Sequence, residues 1–117
     1  MLQRLHEPVP ELIFVHEPCG DAAILHVFDE VDVATADQLR AAIASVETAG
    51  PVIIDLRECR FIDSSVLSVF VRSYRTLGRR LRIVVSEGSH IRRVFAVTGL
   101  IETLGVVSTL DEALTAA

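Results

Sequence analysis

Val52-Ile53-Ile54-Asp55-Leu56, followed at a short distance by Phe61-Ile62-Asp63-Ser64-Ser65, sets the reading of this chain. The first run is short and almost continuously apolar, the pattern of a strand covered on both faces. After the second, Val66, Leu67, Val69, Phe70, Tyr74 and Leu77 recur at helical spacing, and Gly78 marks a stop. A buried strand feeding an amphipathic helix over residues 63–77 is the signature of a layered α/β domain.

Outward from this pair the same alternation continues. Residues 11–16 and 22–28 are apolar runs separated by Pro18-Cys19-Gly20-Asp21, which predicts an antiparallel hairpin. From Thr35 the period becomes helical through Leu39, Ala42, Ile43 and Val46, with Thr35-Ala36-Asp37-Gln38 in the form of a capping box and an end near Gly50. Residues 81–85 read as a strand. Ser89 caps a helix carrying Ile91, Val94 and Phe95 that stops at Gly99, residues 104–107 form a short strand, and Thr109 starts a terminal helix. The predicted order is β-β-α-β-α-β-α-β-α, a mainly parallel sheet with an antiparallel first strand and helices packed against it. Residues 1–10, with Pro8 and Pro10, read as an N-terminal arm, and residues 11–117 as one domain.

Composition bounds the function. At 117 residues, half of them apolar, the chain suits one domain with one sizeable core. Its net charge is −5, and its basic residues are all arginine, spread without a dense stripe, which argues against nucleic-acid binding. Cys19 and Cys59 are too few and too far apart for a disulfide framework or a C-x-x-C site, so a reducing, cytoplasmic setting is expected. No stretch has the length or apolarity of a signal peptide or membrane span.

Asp63-Ser64-Ser65 has two readings. An aspartate or serine there accepts a hydrogen bond from a free N–H of the first turn and caps the helix, worth about 1 kcal/mol. The same N-terminus, with unpaired N–H groups and a positive dipole end, also accommodates a phosphate on a serine. The phosphate would add roughly −1.5 to −2 charges beside Asp63, and near Asp32 on a neighbouring loop, altering binding more than folding.

Catalysis and cofactor binding have little support. Ser64, Asp63 and His90 lack a G-x-S-x-G elbow and an oxyanion-hole sequence. His6, His16, His26 and His90 stand singly, without metal-ligand spacing. The glycines form no phosphate-cradling loop, Cys59 has no evident activating neighbour, and Arg79-Arg80-Leu81-Arg82 suits the negative end of a helix. No cofactor and no metal are expected.

The two opening segments resemble the STAS domains of bacterial anti-sigma-factor antagonists. Phe28-Asp29-Glu30-Val31-Asp32, with Thr35 and Leu39, resembles their G-E-L-D segment and the helix after it; Phe95-Ala96-Val97-Thr98-Gly99-Leu100 matches F-x-x-T/S-G-L; Leu110-Asp111-Glu112-Ala113-Leu114 matches their usual ending. These segments occur in the family's order. The resemblance implies that Ser64 is the phosphoacceptor of an anti-sigma factor that is also a serine kinase, and that a phosphatase restores the unmodified form. The unmodified chain would bind that partner and free the sigma factor, a cytoplasmic switch acting on transcription with no direct nucleic-acid or membrane contact. The implied partner surface is Asp32, Asp63, Ser64, Ser65, Val66, Leu67 and Ser68, with Asp63 orienting the loop or the serine hydroxyl. The sequence departs from the family at Val66 and Ser68, where glycines are common, and at Asp29, in place of the glycine of G-E-L-D. A branched side chain at Val66 would narrow partner choice or hinder a kinase. A constitutive STAS interaction module, such as a transporter-ATPase subunit or scaffold, is the alternative.

Overall fold

Val52–Asp55 (β4) is the middle strand of a five-stranded sheet, and all four of its residues are buried. The computed structural model describes residues 11–46 and 48–116; the expected arm, residues 1–10, lies outside them. Phe14–Cys19 (β1) pairs antiparallel with Ala22–Val27 (β2), and β2 pairs parallel with β4. Leu81–Val84 (β6) and Val106–Val107 (β7) complete the sheet in parallel, giving the order β1-β2-β4-β6-β7.

Two short strands escape the sequence reading. Asp29–Val31 (β3) and Cys59–Ile62 (β5) pair in parallel as a separate two-stranded sheet. At three and four residues they are too short to give a period. Asp29 has φ +61°, a left-handed backbone that suits glycine and that aspartate tolerates better than most residues. The glycine expected in the G-E-L-D segment therefore has a conformational reason, and Asp29 meets it at some cost.

The helices are Ala36–Ser45 (α1), Ser64–Leu77 (α2), His90–Val97 (α3), Leu100–Thr103 (α4) and Leu110–Thr115 (α5). α1 stops at Ser45, earlier than Gly50. Gly50 serves the close approach of two segments: a Cβ there would lie 2.1 Å from the Asp21 carbonyl oxygen. The Thr35 capping box does not form, because the Gln38 side-chain oxygen accepts the Leu12 N–H at 2.8 Å instead. That of Thr109 does, closed by Glu112. Gly99 lies between α3 and the extra turn α4, which precedes β7.

The main core lies on one face of the sheet. Leu25, Ile54 and Ile83 point there from successive strands, against Leu39 of α1, Phe70 of α2 and Phe95 of α3. Phe70 and Phe95 stack with centroids 6.0 Å apart. On the other face Ile24, Ile53 and Val84 meet Ala113, with Leu110 and Leu114 of α5 packed against them. The parallel strands thus send the loops after β3 and β5 together to one end, where α1 and α2 begin.

Candidate functional site at the start of α2

Asp63 holds this end together. Its Oδ1 accepts the Ser65 N–H at 2.9 Å and caps α2, while its Oδ2 accepts the Val33 N–H at 2.9 Å from the loop before α1. One carboxylate therefore fixes the helix start and ties the neighbouring loop to it. Asp32 closes that loop on itself: its Oδ1 accepts the Ala34 N–H at 2.9 Å, and its own N–H donates to Thr35 Oγ1 at 3.2 Å.

Ser64 is the first residue of α2 and is exposed, as is Ser68 one turn later, whose hydroxyl donates to the Ser64 carbonyl at 3.3 Å. Ser65 and Asp63 are half-buried. The first turn of α2 contains no acidic residue, and the negative charge at the positive end of its dipole is that of the Asp63 cap. An anion on the Ser64 oxygen would meet the same dipole end beside Asp63 and would remain in solvent.

Two side chains expected at this surface are not there. Val66 is 0 % exposed and Leu67 is 8 % exposed, and both belong to the main core. The helical twist carries the two positions after Ser65 inward, so Val66 presents no branched side chain to a partner. The apolar side chain that does stand in solvent here is Val33, 73 % exposed, on the loop that Asp63 ties down. Phe61 of β5, two residues before Asp63, is 41 % exposed.

The hydrolase arrangement does not assemble, since both carboxylate oxygens of Asp63 are held by backbone N–H groups and no hydrogen bond among the described residues joins Ser64 to His90. Burial pushes the Cys59 thiol up, and its S–H donates to the Phe61 carbonyl, so it is a packed thiol and not a reactive one. Among the described residues, no group of three or more His, Cys, Asp or Glu could hold a metal.

A polar row that the sequence reading missed crosses the sheet beneath this end. His26 Nδ1 lies 2.7 Å from Asp55 Oδ2, and His26 Nε2 lies 2.7 Å from Glu17 Oε1. Arg57 clasps Asp55 from the far side, Nε to Oδ1 and a terminal nitrogen to Oδ2, both at 2.9 Å. Both ring nitrogens facing carboxylates requires the imidazolium. Burial alone would lower the His26 value, but the hydrogen bonds and charges of Glu17 and Asp55 outweigh it and raise it above 6.5. Burial would likewise raise Asp55, and the Arg57 and His26 contacts hold it below 3.8 instead.

Stability from His26 is therefore fully present below pH 6.5 and is lost as pH rises through its higher folded-state value. Stability from Asp55 is present above 3.8 and is lost as pH falls through its lower folded-state value. The row is strongest in the mildly acidic window between them. Thermal unfolding of wild type and His26→Gln should show a difference that is largest below pH 6.5 and narrows as pH rises above it. A difference independent of pH would mean that His26 contributes only by packing.

A family model for the STAS domain matches residues 15–113. The chain belongs to the STAS domain family. This STAS domain is 34 % identical over 96 residues to the anti-sigma-F factor antagonist RsfB of Mycobacterium tuberculosis, covering 80 % of this chain and 79 % of that one. It is 30 % identical over 98 residues to the anti-sigma-B factor antagonist of Listeria monocytogenes, covering 80 % and 86 %. Among solved structures it is similar to an anti-sigma factor antagonist from Mycobacterium paratuberculosis, at 31 % identity and a TM-score of 0.79 over 90 % of this chain and 92 % of that one. The fold expected from the sequence, with its mainly parallel sheet and antiparallel first strand, is the one that STAS domains share. No helix among the described residues is long and apolar enough to cross a membrane.

Proposed function

We propose that this STAS domain is an anti-sigma-factor antagonist that binds an anti-sigma factor with serine-kinase activity and is released when that partner phosphorylates Ser64. A phosphatase then returns it to the binding form, and sigma-factor-dependent transcription follows the proportion of unmodified chain. The observation that carries this reading is the exposed hydroxyl-bearing residue Ser64 at the start of α2, on a surface that Asp63 braces across two loops. Relatives named as anti-sigma factor antagonists, at 30 % and 34 % identity, support the partner class.

The binding surface in this reading comprises Asp32, Asp63, Ser64, Ser65 and Ser68, with Val33 as its apolar contact. Val66 and Leu67 act from beneath by holding the first turn of α2 in place. Val66 is buried, so its side chain acts through core packing, which supports the access of a kinase to Ser64. Phosphate on Ser64 leaves the helix cap intact and places about −1.5 to −2 charges beside two aspartates on the surface the partner must cover.

Incubation with the anti-sigma factor of its source organism and ATP tests this directly. Intact mass should show one phosphate added to wild type and none to Ser64→Ala. A wild-type chain that bound that partner yet stayed unmodified would instead make this a constitutive STAS interaction module.

A further inference from the structure

We infer that the outer face of α1 and α2 is a docking surface for an acidic segment of the partner protein, one that also carries an apolar side chain. This rests on the proposed partner binding at the start of α2, and names the chemistry that the partner brings.

The chain carries −5 overall, yet residues 64–85 contain Arg72, Arg75, Arg79, Arg80 and Arg82 and no aspartate or glutamate. Arg80 is spent on the Thr48 and Gly50 carbonyls, and Arg82 on those of Arg79 and Ala113. Arg72, Arg75 and Arg79 are exposed, and their guanidinium groups make no hydrogen bond or ion pair among the described residues. The C-terminal dipole of α2 accounts for Arg75 and Arg79, but Arg72 lies in mid-helix, where that effect has faded. Ser64, Ser68, Arg72 and Arg75 fall along one side of α2, with Arg72 about 12 Å from Ser64 along the axis.

Beside this stripe a groove of about 370 Å³ runs between α1 and α2. Ile43, Val46 and Leu77 give it an apolar lining, and Arg40 and Arg72 stand on its two sides. Arg40 is paired with Asp37 at 2.9 Å, which leaves Arg72, on the opposite side, as a cation with no ion pair among the described residues. A carboxylate flanked by a leucine-like side chain matches both features. A nucleic acid would meet the arginines but has nothing to place in the groove, and the rest of the surface would repel it. Charge complementarity of this kind speeds association and is screened by salt. A phosphate on Ser64 would add negative charge to the same side of α2 and oppose the same acidic partner.

The test titrates the full-length chain, wild type and Arg72→Gln/Arg75→Gln, with the anti-sigma factor of its source organism at several salt concentrations, after thermal unfolding has shown that both fold. The double variant should bind roughly five- to tenfold more weakly, through slower association and with a shallower salt dependence. Amide resonances of Ser68, Arg72, Thr76 and Ala44 should shift on binding. Equal affinity, with shifts confined to the Asp32 loop and Ser64, would overturn the inference and leave the proposed function standing. If wild type fails to bind the anti-sigma factor, the proposed function falls, and a peptide of alternating glutamate and leucine decides the surface separately. Binding of that peptide lost in the double variant would support the surface, and no binding would overturn it. Duplex DNA of equal charge bound as tightly as the peptide would also overturn it.

Discussion

Ser64→Asp is expected to bind the cognate anti-sigma factor about 5–150-fold more weakly than wild type, while Ser64→Ala binds with wild-type affinity. The Ser64 side chain is exposed and makes no contact that the fold needs, since Ser68 donates to its backbone carbonyl. Alanine therefore removes the phosphoacceptor without disturbing α2. Aspartate at a first helical position is favoured by the dipole, so folding is unaffected and the added charge acts on the partner surface alone. Genuine phosphoserine should act in the same direction and more strongly, because it carries more charge than a carboxylate. Calorimetric titration of wild type, Ser64→Asp, Ser64→Ala and the phosphoserine form reads the effect, and equal binding by all four would remove Ser64 as a switch.

Val66→Gly is expected to lower stability by about 2–4 kcal/mol and to leave the affinity of the folded protein for its partner unchanged. Val66 is wholly buried in the main core, in the same turn as Leu67 and one turn before Phe70. Removing its side chain leaves a cavity, and glycine within a helix costs about 1 kcal/mol more than alanine. Urea denaturation gives the stability and titration the affinity. A gain in partner binding would mean that Val66 restricts approach at the surface after all.

Strand and helix order was legible because the signals are long or chemically explicit: a continuous apolar β4, the helical period through Phe70, and the Asp63, Ser89 and Thr109 caps. What stayed hidden depends on neighbours distant in sequence. Thr35 and Gln38 have the spacing of a capping box, but Leu12, 26 residues earlier, claims the glutamine. β3 and β5 are visible as strands only through each other.

At the site, the dual use of Asp63 was half legible. Its capping of α2 follows from local spacing, whereas its bond to Val33 needs the loop from 30 residues before. Val66 carries two signals: it shares the apolar helical spacing of α2, which its burial follows, whereas the resemblance implied a place on the partner surface. His26 looked solitary because its partners come from two other strands, which bring Glu17 and Asp55 to its opposite ring nitrogens. The single local hint was Asp55 with Arg57 two residues on.

Co-purification from native cells, with phosphate mapped in the bound and free pools, asks most directly whether this chain switches partners through Ser64. The expected result is an anti-sigma factor held by chain that is unmodified at Ser64, with Ser64 phosphate confined to the free pool. Phosphate on Ser64 at equal occupancy in both pools, or a native complex lacking any anti-sigma factor, would contradict it.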